Sequence, residues 1–328
     1  MVPRNWAVTA IGEMPAGWEL RDGAEIVALP SGRLIMEGGW NYYDPWVDAL
    51  GQPSRLTNEV WASDDLGVTW SLLLPHDGAP PGTGPTARFF PNHVQCLVMH
   101  AGHAVFLGGD WEGSTYGDVW VESNNGATWT RTTQESPMAL RNYGMCASYK
   151  GALYVMGGQL APTDPSTALN DVWRSTDWGA TWTQLPNAPW SPRGIVTRLT
   201  EHDGKLYLVG GGRYADNAFS YNGVFAFDGT SWQTILPDGH PQFEPSSWHT
   251  TASVAGRLWI LNGYDFNVES NLLRAAFSDD DGSKWSSFGP GPGGVPSHAD
   301  AVVALSDRII RVPGGLEERK IYKLAPVP

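Results

Sequence analysis

Residues 152–158 read ALYVMGG, an apolar strand that ends in a pair of glycines. The pattern returns as RLIMEGG ending at Gly39, AVFLGG at Gly109, LYLVGG at Gly211, LWILNG at Gly263 and IIRVPGG at Gly315. In chain order, with Gly158 third, these positions lie 70, 49, 53, 52 and 52 residues apart. Self-similarity at a period of about 50 residues marks a repeat architecture whose units are small sheets. The first interval is longer because it holds two extended loops.

A second mark follows each pair. It is a short apolar strand: NEVWAS, GDVWVE, NDVWRS, NGVFAF, LLRAAF and KIYKL. A turn comes next, then a strand carrying Trp70, Trp129, Trp182, Trp232 or Trp285. The sixth repeat ends at KLAPVP without such a strand, and RNWAVTAIG with Trp6 stands at the other end of the chain. The N-terminal strand is therefore expected to complete the last unit and close a ring, which removes exposed sheet edges. Each unit reads as four strands, a to d. In the third they are YGMCASY, ALYVMGG, NDVWRS and TWTQLP. The fold class is all-β: one six-bladed β-propeller over residues 1–328. Its blades fall near 13–75, 76–136, 137–189, 190–238, 239–290, and 291–328 with 1–12. The glycine pairs are expected where strand b meets the crowded ring interior and a side chain would clash. The Trp of d and the aromatic of c are expected to pack blade on blade.

The c–d turns carry a signature of their own. SDDLGVTW (63–70), STDWGATW (175–182) and SDDDGSKW (278–285) share Ser-x-Asp-x-Gly-x-x-Trp, and ESNNGATW (122–129) is a degenerate copy with Asn124 in the Asp place. Asp and Ser side chains bond nearby backbone N–H groups, Gly takes the positive-φ position and Trp anchors the turn. The fourth repeat has a tight turn at Asp228-Gly229 instead.

These marks cover nearly the whole chain. It resembles kelch-like propellers of the galactose-oxidase type, and its c–d turns resemble the Asp-boxes of sialidase-type propellers. The resemblance implies that d–a connections and b–c loops share one face, with the c–d turns on the other. The Asp-box carboxylates are then structural, and the loop face is the working surface.

Composition bounds the partners. Hydrophobic residues make up 41% of the chain and charged ones 17%, enough apolar material for a core. The formal net charge of −13 repels phosphate backbones and anionic lipid, so neither a nucleic acid nor a membrane is an expected partner. No basic-then-apolar leader and no 18-residue apolar stretch is present, so the chain is expected to be soluble, without membrane insertion, and cytoplasmic or virion-associated. Cys96 and Cys146 lie in apolar strand segments and read as buried free thiols, with a single bridge left open.

Candidate ligand-binding residues come from the loop face. Its aromatics are Trp40, Tyr42, Tyr43 and Trp46 in WNYYDPW, followed by Trp111, Tyr143, Tyr214, Trp248 and Tyr264. Exposed rings stack on sugars or anchor protein partners, although the same rings could cap the ring interior. Arg88, Arg141 and Arg193 enter the same part of three successive blades. They could clamp a carboxylate together, or each could pair within the scaffold. His93, His249 and His298 lie near the start of strand a in blades that are not all adjacent. They are taken as mouth-lining residues, and no metal or other cofactor is expected.

The resulting reading is a non-catalytic recognition propeller for a glycan or protein partner. A virion attachment or tail component, docked to other subunits, is one setting for it. The resemblance also implies a carbohydrate-active alternative, either a sialic-acid mutarotase-like enzyme or a glycosidase. Asp22, Asp110, Asp265 and Asp300 are the carboxylates such a glycosidase would draw on. Cysteines inside strands speak against a galactose-oxidase site, which needs a Cys–Tyr crosslink, and no catalytic residue is assigned. A structural scaffold is the third reading.

Overall fold

Strand b of each repeat carries the apolar run, so its pairings fix the rest of the blade. A computed structural model describes residues 5–43, 45–47, 51–78, 89–93, 96–111, 114–134, 136, 141–161, 164–195, 198–214, 218–291, 293–315 and 318–327. At 110, 111, 114 and 115 it describes backbone alone. In the third repeat, Ala152–Met156 pairs antiparallel with Met145–Tyr149 on one side and Val172–Ser175 on the other, and Thr183–Leu185 is outermost. Five such four-stranded sheets follow chain order. The sixth has Ala301–Ala304 innermost, then Ile309–Val312 and Lys320–Pro326, with Trp6–Glu13 as its outer strand. That strand pairs from Trp6 opposite Pro326 to Glu13 opposite Lys320. The ring is a six-bladed propeller closed by its own N-terminal strand. Among the described residues no helix is long and apolar enough to cross a membrane.

The interfaces follow from the tryptophans. Six apolar clusters lie one between each pair of neighbouring blades, and each includes the d-strand Trp of the later blade. Trp129 joins blades 1 and 2, Trp182 blades 2 and 3, and Trp232 blades 3 and 4. Trp285 joins blades 4 and 5, Trp6 blades 5 and 6, and Trp70 blades 6 and 1. Large rings dominate such interfaces because each buries roughly 150–250 Å².

The c–d turns bond internally. In blade 3 the Ser175 hydroxyl donates to Asp177 Oδ1 (2.8 Å) and accepts from Gly179 N (2.9 Å). Asp177 Oδ1 accepts from Thr181 N (2.9 Å), and Trp182 Nε1 donates to the Gly179 carbonyl (2.9 Å). Gly179 has φ +82°, and a Cβ there would press on Val119 of blade 2 at 3.0 Å. Blade 2 reaches the same end without the Ser–Asp pair: the Glu122 carboxylate accepts from Gly126 N (2.9 Å) in the serine's place.

The glycine pairs have a different cause from the crowded ring interior expected of them. At Gly39 (φ +114°) a Cβ would meet the Arg21 side chain at 2.6 Å and the Asp22 carbonyl at 3.0 Å. The obstruction is the segment entering strand a. Arginines in that segment brace blades 1, 3 and 4, each within its own blade, beneath the loop face. Arg21 donates to Glu59 Oε2 (2.6 Å), Arg141 to both oxygens of Asp171 (2.7 and 3.1 Å) and Arg193 to both of Asp238. Each also donates to the carbonyl of the first glycine of its blade's pair: Gly38, Gly157 or Gly210. Blade 6 inverts the pairing, with Arg311 on strand b bonded to Asp300 (2.7 and 3.0 Å).

Two features of the channel escaped the sequence. Arg198 of blade 4 crosses it, pairs with Glu25 (3.0 Å) and donates to the carbonyls of Ile26 and Val302 on blades 1 and 6. Cys96 and Cys146 are not free thiols. They form a disulfide between the inner strands of blades 2 and 3, Cα–Cα 5.9 Å. Their separation of 50 residues is one repeat, which puts equivalent positions on neighbouring blades.

Candidate functional site

At the loop end, two sets of main-chain bonds run from blade to blade. In the first, the second glycine of a pair donates to the next blade's entry segment. Gly39 N bonds to Asn92 O (2.8 Å), Gly158 N to Arg193 O (2.9 Å), Gly211 N to Ser246 O (2.9 Å) and Gly263 N to Ser297 O (2.9 Å). The second lies two residues further on. Ile195 N bonds to Tyr143 O (3.2 Å), Trp248 N to Ile195 O (2.8 Å), Ala299 N to Trp248 O (2.8 Å) and Gly23 N to Ala299 O (3.1 Å). This belt holds Tyr143, Ile195, Trp248 and Ala299 at φ +58°, +62°, +49° and +52°. Such backbone costs a non-glycine residue about 1–3 kcal/mol and persists only where the surroundings enforce it. Here the neighbouring blade supplies the enforcing bond.

A cavity of about 480 Å³ stands over the belt. Tyr143 and Trp248 rise into its lining from the belt itself. Trp40 and Tyr264 each follow a glycine pair or its Asn-Gly equivalent, and two-way backbone bonds to Asp22 and Ser247 hold them. The buried Gln159 amide grips the Tyr214 main chain from both sides, at 2.6 and 3.1 Å. Phe266 is fixed by its N–H on Ser220 Oγ (3.0 Å). His93, Asp22, His298 and Ala299 complete the lining. The rings meet at steep angles: Tyr143–Tyr214 at 5.5 Å and 63°, Trp248–Phe266 at 5.1 Å and 59°, Tyr264–Phe266 at 5.0 Å and 64°. His298 Nδ1 contacts Asn271 Oδ1 (2.6 Å), and its Nε2 lies 3.8 Å from Asp22 Oδ2. Burial raises the Tyr264 phenol above its ordinary range, and the Glu269 charge adds to this.

The sequence-derived candidates separate into groups. Trp40, His93, Tyr143, Tyr214, Trp248, Tyr264 and His298 come together around this cavity. Tyr42 and Tyr43 lead outward from Trp40 as a line of edge-to-face rings, 57% and 74% exposed. Trp46 is buried against the Arg21 guanidinium, 4.7 Å from its ring. Arg141 and Arg193 are buried in their carboxylate pairs, so they form no shared clamp at the mouth. His249 lies beneath, in contact with Ser246, and burial with the Arg274 charge pushes its pKa down to about 3. Arg88 and the Trp111 side chain lie outside the described residues. Phe266 was missing from the ligand-binding candidates, and Asp22 had been named only as a carboxylate for the glycosidase alternative. Its place among the mouth-lining residues could have been read from position, since Asp22 stands where His93 and His298 do, just before strand a.

Among the described residues Asp22 is the only carboxylate in the lining, so no two oppose one another across the cavity. Asp300 is held by Arg311, Asn262 Nδ2 (2.9 Å) and Gly314 N (2.8 Å). Asp265 is buried, accepts from Asn267 N (2.9 Å), and burial raises its pKa. The Asp110 side chain lies outside the described residues. A second cavity of about 460 Å³ adjoins the mouth through Asp22, Trp40 and His298 and adds Glu318 and Arg311. The channel cavity crossed by Arg198, about 300 Å³, shares no lining residue with the mouth.

No protein-family model matches the chain. It is 27% identical over 124 residues to a kelch domain-containing protein of Sulfurisphaera tokodaii, covering 38% of this chain and 16% of that protein. It is 30% identical over 146 residues to multiple epidermal growth factor-like domains protein 8 of Homo sapiens, covering 42% of this chain and 5% of that protein. The chain thus spans less than a fifth of the length of either relative.

Proposed function

We propose that this chain, a kelch-like six-bladed propeller, is a recognition module that grips a protein partner by a group inserted into its aromatic mouth. The observation that carries the reading is the cavity of about 480 Å³ with six rings from four blades in its lining. Its volume lies in the range of ligand pockets, about 300–1,000 Å³. Tyr and Trp anchors in such pockets carry most of the affinity in protein recognition. The left-handed belt supports the reading, since strained backbone collects where side chains must be presented. No carboxylate pair straddles the cavity among the described residues, so the glycosidase alternative gains nothing from this site.

A glycan is the second reading. The exposed line Trp40–Tyr42–Tyr43 favours it, because successive rings leading out of a pocket suit successive sugar faces. Protein and glycan arrays probed with the chain, then with Tyr214→Ala and Trp248→Leu, test both. A partner bound through the mouth is expected to lose at least tenfold in affinity in either variant. A partner whose affinity survives both substitutions sinks the mouth reading and leaves rim or edge contacts.

A further inference from the structure

The chemistry of the mouth narrows what enters it. We propose that the mouth binds a fully alkylated ammonium group; the inference rests on the mouth being the recognition site. Tyr143, Tyr214, Trp248, Tyr264 and Phe266 pack at steep angles against one another, and with Trp40 they put six rings around any guest of the cavity. An aromatic face is the negative side of the ring quadrupole and attracts a cation lying over it. Among the described lining residues there is no lysine or arginine, and Asp22 supplies a carboxylate at the edge. The net charge of −13 draws cations and repels anions at longer range.

The choice between kinds of cation follows from hydrogen bonding. A primary ammonium brings three donors, and burial without acceptors carries a desolvation cost. The ring faces offer it none, so Asp22, the phenol oxygens and the imidazoles of His93 and His298 would have to satisfy all three. A quaternary ammonium has no N–H to satisfy and spreads its charge over methyl groups that pack against rings. A carboxylate or phosphate would meet negative ring faces and Asp22 together. The box therefore selects the alkylated cation over its primary and anionic counterparts.

The test uses the full chain and isothermal calorimetry. The probes are choline, its uncharged carbon isostere 3,3-dimethylbutan-1-ol, and a short peptide carrying trimethyllysine or unmodified lysine. Choline is expected to bind at least tenfold tighter than the isostere, and trimethyllysine tighter than lysine. Trp248→Leu is expected to abolish choline binding. Asp22→Asn, which keeps the backbone bonds to Trp40, is expected to weaken it several-fold even if the Trp248 variant folds poorly. A trimethyllysine peptide binding much more tightly than choline assigns the group to a partner's side chain. Equal affinity assigns it to a small molecule, and both results support the ammonium. Equal binding of choline and the isostere, or binding of neither, overturns the proposal. If an array-identified partner still depends on Tyr214 and Trp248 in that case, the recognition reading stands and only the cation is lost.

Discussion

The two ends of the propeller solve the same problem by opposite means. At the turn end, polar groups find partners within a few residues: Ser175, Asp177, Gly179 and Trp182 close one turn among themselves. At the loop end the partners are distant in sequence. Arg21 reaches Glu59, Arg193 reaches Asp238, and the belt joins residues about fifty positions apart. Local bonding leaves the turn end repetitive and its carboxylates occupied. Long-range bonding lets each blade place a different side chain on one frame, so Tyr143, Ile195, Trp248 and Ala299 share a backbone geometry but no chemistry. A site of variable chemistry belongs on the second kind of end.

If that contrast is right, the strongest blow falls beneath the mouth. Arg21 is fully buried, its guanidinium packed 3.9 Å from the Trp18 ring and paired with Glu59, which also accepts from Trp61 Nε1 (3.0 Å). Arg21→Met leaves a buried carboxylate without its cation, and such a loss costs about 3–5 kcal/mol. Urea unfolding measures it. A loss below about 1 kcal/mol would mean that the loop end does not depend on its buried charge pairs.

Acid probes the same end more gently. The folded pKa of His249, about 3, lies below its unfolded value. Its contribution is present above the unfolded pKa of about 6.5 and is lost as pH falls toward the folded one, because the unfolded chain takes up the proton first. The loss is on the order of 3 kcal/mol between pH 7 and pH 4. Melting temperature followed from pH 7 to 4 should fall for the wild type and fall less steeply for His249→Gln. Parallel slopes would remove His249 as the cause.

The turn end should yield less. Ser175→Ala removes one acceptor from the buried Gly179 N and one donor to Asp177, at a cost of about 1–2 kcal/mol. Partner or choline affinity should not change, since blade 3's turn lies across the sheet from the mouth. A binding defect in this variant would show that the two ends are coupled, and would break the contrast.

The same contrast decided what the sequence could reveal. Glycine pairs, the Trp of strand d and the Ser-Asp turns are local, so the repeat count and the closing role of Trp6 could be read from order alone. The mouth rings were legible as loop aromatics, five of which do meet there. Their selection was not, because Trp46 stands six residues from Trp40 and yet packs against Arg21 beneath. Arg141 and Arg193 left both a clamp and separate scaffold pairs open, because one dimension shows their equivalence but not the acids they reach. The Cys96–Cys146 bridge and the Arg198 strut depend on which blades are neighbours. The bridge at least had a signal in its one-repeat spacing.

The smallest change in stability is expected at the rim, and there the two ends can be compared with least disturbance to the fold. Tyr42 and Tyr43 touch each other at 5.4 Å, and both are largely exposed. Tyr42→Ala with Tyr43→Ala removes little buried area, so stability should stay within about 0.5 kcal/mol of wild type. Binding is the informative quantity. Contacts at the edge of an interface are worth less than rings that fill a pocket. A partner that follows the line from Trp40 outward should lose a few-fold in affinity, against the tenfold loss expected for Tyr214→Ala. For a glycan lying along the rings the ranking reverses, because the outer rings then hold sugars of their own. Affinity measured by surface plasmon resonance for the rim and mouth variants thus distinguishes a group inserted into the mouth from a chain laid across it.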